Sequence, residues 1–119
     1  MTHHPTAEHI SEEMHECIER CSDCHDVCQE TLVHSLRRGG EYAAAGHVVA
    51  LLDCAQTCDT CRDFMLRGSE LHPRMCGVCA DACARCAESC EQLADGDEHL
   101  RGCAEECRHC EESCRAMAG

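Results

Sequence analysis

Residues 76–90 read CGVCADACARCAESC, placing Cys76, Cys79, Cys83, Cys86 and Cys90 at intervals of 3, 4, 3 and 4. That is the spacing of heptad positions a and d, the stripe that faces the core of a helical bundle. The ladder recurs three more times: CIERCSDCHDVC over 17–28, CAQTCDTC over 54–61 and CAEECRHCEESC over 103–114. All sixteen cysteines belong to it: Cys17, Cys21, Cys24, Cys28, Cys54, Cys58, Cys61, Cys76, Cys79, Cys83, Cys86, Cys90, Cys103, Cys107, Cys110 and Cys114. Thiols fill the places where Leu and Ile normally pack.

Glycine-containing breaks separate the four ladders. Gly39-Gly40, Gly68 with the following Ser69–Pro73 stretch, and Asp95-Gly96-Asp97 divide the chain into helices over about 6–38, 41–67, 70–94 and 98–118. Thr6 is the expected cap of the first, Pro73 suits the first turn of the third, and Asp97 suits the cap of the fourth. Helices joined by short loops pack as antiparallel neighbours. The predicted fold is therefore all-α, an up-down-up-down four-helix bundle with a cysteine-lined core, one domain spanning 1–119.

The stripes test this reading independently. Facing residues of an antiparallel pair have position numbers with a near-constant total. That total is 78–79 between the first two ladders, 140–141 between the second and third, and 193 between the third and fourth. Half of each total falls at one of the three glycine turns. The core then divides into layers. Met14, Met65, Cys76 and Met117 form one end. Three all-Cys layers follow: Cys17, Cys61, Cys79, Cys114; then Cys21, Cys58, Cys83, Cys110; then Cys24, Cys54, Cys86, Cys107. Cys28, Leu51, Cys90 and Cys103 come next. Leu32, His47 or Val48, Leu93 and Leu100 are expected to close the far end.

Leu, Ile, Val and Phe make up only about 13% of the 119 residues, and the net charge is −13. Such a composition ordinarily signals disorder. Buried Cys, however, behaves as a small hydrophobe and restores an amphipathic stripe. The acidic balance argues against nucleic acid and against an anionic membrane surface as partners. Residues 1–19 have neither a basic start nor an apolar stretch, so a cytoplasmic location is expected, where thiols stay reduced. No nucleophile–base pair stands outside the ladder, so no enzymatic role is expected.

Sixteen reduced thiols point to soft metal. Soft thiolates select Cu(I), Zn(II) and iron–sulfur clusters. Sixteen thiolates with about sixteen Cu(I) ions approach neutrality, whereas four Zn(II) ions leave eight negative charges in the core, and buried net charge is costly. An iron–sulfur carrier needs four to eight Cys and leaves the rest without a role. Metallothionein-like coils favour C-x-C and C-C pairs, which are absent. Cys76 and Cys86 have the spacing of disulfide-linked helical hairpins, but the heptad produces that spacing by itself. The functional expectation is storage of many Cu(I) ions; a zinc-binding or disulfide-stabilised structural helical protein is the alternative.

Met14, Met65 and Met117 continue the cysteine stripes at one end, and His72 lies one turn beyond Cys76. Thioethers bind Cu(I) without losing a proton, which makes this end a candidate port, although Met there also serves as core filler. His25 and His109 abut Cys24 and Cys110 but flank the stripe. His47 fits a core or capping role. His3, His4 and His9 are candidate surface scavengers.

The four ladders together resemble the bacterial copper storage proteins, over nearly the whole chain. The resemblance implies a four-helix bundle holding multiple Cu(I) ions on all sixteen cysteines, cytosolic because no leader is seen, and a homotetramer. The family's end-of-bundle ligands correspond to Met14, Met65, Met117 and His72.

Overall fold

The computed structural model describes residues 5–119; His3 and His4 lie outside that range. Helix α1 runs Glu12–Arg38, α2 Ala45–Leu66, α3 His72–Leu93 and α4 Glu98–Met117, with a 3₁₀ turn at Gly40–Ala43. Each helix packs against its neighbours in sequence, and α1 closes the ring on α4. This is the expected antiparallel four-helix bundle.

Helix α1 starts six residues later than expected. Ser11, not Thr6, is the cap: its Oγ accepts the Met14 N–H at 3.1 Å, and Glu12 and Glu13 follow in the first turn. Carboxylates there oppose the positive end of the helix dipole. Residues 5–10 instead form a non-helical strap. Helix α2 also starts late. Arg38 stacks over the Tyr42 ring at 3.9 Å within the 3₁₀ turn, and extended Ala44 breaks the chain before Ala45. Such a cation–π contact contributes about 0.5–1 kcal/mol, enough to favour a local turn over one more turn of helix. Pro73 and Asp97 take the places expected of them.

Asp97 does more than cap α4. Its carboxylate accepts the Leu100 N–H at 3.0 Å and is also held by His34 at 2.8 Å and Arg38 at 2.7 Å, both on α1. One nearly buried carboxylate thus ties the end of α1 to the start of α4. On the surface, Arg108 bridges to Glu91 and Arg115 to Asp81, stapling α4 to α3.

Candidate metal centre

All sixteen cysteines are buried and all are free. They form one continuous column. Between α1 and α4 the rungs Cys17–Cys114, Cys21–Cys110, Cys24–Cys107 and Cys28–Cys103 stand 3.7–3.9 Å apart, in the register expected of an antiparallel pair. Cys24–Cys54 (3.7 Å) and Cys58–Cys83 (3.9 Å) continue it around the ring. Diagonal pairs also meet across the axis: Cys58–Cys110 at 3.8 Å, Cys54–Cys107 and Cys28–Cys86 at 3.9 Å. The shortest contact, Cys61–Cys76, is 3.4 Å, well beyond the ~2.05 Å of a disulfide bond.

The sulfurs do not gather layer by layer. Five quartets have all four sulfurs within 4.8 Å: Cys21, Cys58, Cys79, Cys110; Cys21, Cys61, Cys79, Cys114; Cys24, Cys28, Cys54, Cys107; Cys24, Cys54, Cys58, Cys83; and Cys28, Cys86, Cys103, Cys107. Not one coincides with a predicted all-Cys layer. Alternate a and d side chains reach the axis at different heights, so sulfurs of adjacent layers interleave. Every quartet shares at least one sulfur with another. Cys17, Cys76 and Cys90 belong to no quartet and mark the two ends of the column.

Contact among the buried thiols shifts their pKa values in both directions. Cys107 is pushed far above the ordinary thiol value by Cys103, Cys24 and its other sulfur neighbours and by burial, and Cys58 likewise by Cys110, Cys21 and burial. Cys54 and Cys61 move the other way. Contact with Cys107 first, then with Cys24, pulls Cys54 down, and Cys61 is held at about 5, chiefly by Cys114. Any soft metal entering the column therefore displaces protons from a connected set rather than from isolated sites.

The two ends differ from each other and, in part, from expectation. At one, Met65 and Cys76 are fully buried, Met14 is 8% exposed and Met117 is half-buried. Half-buried His72 keeps a buried Nδ1 with no hydrogen-bond partner. Met75 also packs on the core here. Sequence reasoning missed it because it lies off the heptad stripe; its adjacency to Cys76 was the available signal. The far end is not closed by leucine alone. Leu51 and Leu100 are buried, but Leu32 and Leu93 are only half-buried. His47 completes the seal, bonded to Ser35 at 3.0 Å and to Ser89 at 2.7 Å, with burial lowering its pKa. His25 turns outward to Asp26, and His109 is exposed.

Comparison with known proteins accords with this geometry. A Nitrosospira multiformis protein of solved structure is 41% identical, with a TM-score of 0.84, over 90% of this chain and 95% of that one. The Cu(I)-bound copper storage protein BsCsp3 is 29% identical, TM-score 0.83, over 91% and 100%. The Streptomyces lividans copper storage protein loaded with 10 copper equivalents is 26% identical, TM-score 0.84, over 98% and 92%. The curated proteins compared by sequence include no match. The copper storage protein family matches residues 9–119, and the chain belongs to that family.

Proposed function

We propose that the protein stores or sequesters many Cu(I) ions on its sixteen cysteine thiolates, for detoxification or supply, without catalysing a reaction. The observation that carries this reading is the interlocking of the quartets. Isolated tetrahedral sites need private ligands, whereas bridging thiolates suit a cluster of low-coordinate d¹⁰ ions. One Cu(I) per thiolate also leaves the buried column neutral. We read residues 1–119 as one storage domain. It acts in the cytoplasm, as the related Streptomyces lividans protein is described. Among the described residues no helix is long and apolar enough to cross a membrane. A homotetramer is the oligomeric state that the family resemblance implies; light scattering tests it.

Met14, Met65, Met117 and His72 would form the port. The orphaned His72 Nδ1 supports this, because a buried nitrogen without a partner is costly and a ligand would satisfy it. Anaerobic titration of the reduced protein against a strong chromogenic Cu(I) chelator tests storage. Saturation near sixteen is expected; saturation at four or below sinks the reading. Replacing the three methionines by Leu should slow loading while leaving capacity within one ion of wild type.

A further inference from the structure

At the Met end the outermost cysteines, Cys17 and Cys76, have no exposure to solvent. Met65 and Cys76 are fully buried there, and the C-terminal tail and the segment around His9 and Ile10 pack at that end. At the C-terminus Gly119 lies against Pro73 and the Ala118 methyl lies near Gly77. That tail is anchored by the Ala118 N–H bonding back to the Cys114 carbonyl at 3.0 Å. The N-terminal segment is held more lightly. The His9 Nε2–H donates to the Leu66 carbonyl at 2.8 Å across 57 residues of sequence. The ring rests on Gly68, where a Cβ would stand only 3.1 Å from it. Ile10 packs against the core one turn before Met14, and its N–H bonds to Ala7 within the strap. Pro5, Thr6 and Ala7 then run beside Ile18, Ser22 and Arg62, bordering a groove of about 540 Å³ between α1 and α2.

We propose that residues 5–10 form a gating strap: His9 latches it to the α2–α3 turn, Ile10 seals the Met end, and its release sets the rate at which copper enters and leaves. The strap suits that task physically. It is held by one exposed side-chain bond, one half-buried Ile and the exposed flank of Pro5–Ala7 along the groove, so it belongs to the low-stability part of the fold that opens without unfolding the helices. Gly68 has φ +63°, a conformation that favours glycine, and it also gives the His9 ring its seat. The strap rests on the reading that the Met end is the port, and the test separates the two.

Three proteins are compared: wild type, His9→Ala and Ile10→Ser. Both substitutions fall before the first helix, and circular dichroism checks that helix content is kept. The first readout involves no metal: the reduced apo protein is labelled anaerobically with a maleimide, quenched, and mapped by mass spectrometry. Loss of one such contact should raise the open population about fivefold. Cys17 and Cys76 should then label about fivefold faster, while Cys28 and Cys103 at the far end keep the wild-type rate. The second readout is Cu(I) uptake from a chelator complex, expected to accelerate by the same factor at unchanged capacity. Unchanged labelling in both variants, or equal acceleration at all sixteen cysteines, overturns the strap and leaves the port reading standing. Faster labelling of Cys17 and Cys76 with unchanged copper uptake overturns the port, and the gate with it.

Discussion

The interlocking of the quartets makes Zn(II) and Cu(I) respond differently to the loss of one cysteine. A closed zinc site needs four thiolates of its own. Among the five quartets, at most three share no sulfur: Cys21, Cys61, Cys79, Cys114; Cys24, Cys54, Cys58, Cys83; and Cys28, Cys86, Cys103, Cys107. Zinc should therefore saturate near three ions per chain and strand Cys17, Cys76, Cys90 and Cys110. Twelve thiolates against three divalent ions leave six buried negative charges, a strong penalty. Cu(I) is limited instead by charge, at about one ion per thiolate, or about sixteen.

Now Cys107 is replaced by Ser. It stands 3.8 Å from Cys24 and Cys28 and 3.9 Å from Cys54, and it belongs to two quartets. Without it no choice of quartets yields more than two separate sites, so zinc capacity falls from three to two. Cys90→Ser touches no quartet and should leave zinc capacity at three. Copper capacity should fall by about one ion in both variants, because each removes one thiolate from a shared column. Parallel anaerobic titrations with chromogenic competitors for each metal read all six numbers. A copper loss of three or four ions in Cys107→Ser, against none in Cys90→Ser, would falsify the shared-column argument. It would mean that copper occupies discrete sites as zinc does.

Two further predictions concern the end opposite the port. Asp97→Ala removes the α4 cap and the tie to α1, and should destabilise the apo protein by about 1–3 kcal/mol in urea unfolding. Burial opposes the ionised Asp97 carboxyl, but bonds from His34, the Leu100 N–H and Arg38 outweigh it and hold its pKa well below the usual range. Its contribution is therefore full above the unfolded value of about 3.9 and is lost as pH falls below that; a variant whose acid-unfolding curve matched wild type would refute this. His47 has a folded pKa lowered by burial, so the unfolded chain takes up the proton first and stability falls as pH drops below about 6.5. His47→Leu should lose that slope and leave the Ser35 and Ser89 hydroxyls unpaired, at a cost of about 1–3 kcal/mol at pH 8; an unchanged slope in urea titrations between pH 5 and 8 would assign the effect elsewhere.

What the sequence disclosed and what it withheld follow from the same geometry. Helix number, antiparallel order and register were legible because a heptad is a one-dimensional signal and glycine turns sit at its mirror points. The matched rungs from Cys17–Cys114 to Cys28–Cys103 follow from spacing alone. Choices that depend on local competition were not legible: Ser11 over Thr6 as cap, or an Arg38–Tyr42 stack over one more turn of α2. Nor was the three-dimensional reach of a side chain. Position numbers assign Cys58 to a layer with Cys21, Cys83 and Cys110, yet its sulfur also lies 3.7 Å from that of Cys79 in the layer above. That displacement turns a stack of four-sulfur plates into a zigzag column. A stack of plates would offer each zinc ion a private tetrahedral site. The column offers no quartet whose sulfurs are all its own, so a divalent ion must either leave thiols unused or force helices apart. A monovalent ion that accepts bridging thiolates can use every one. The proposed preference for Cu(I) thus rests less on the identity of the ligands, which zinc would accept as readily, than on the half-layer stagger that makes them shared.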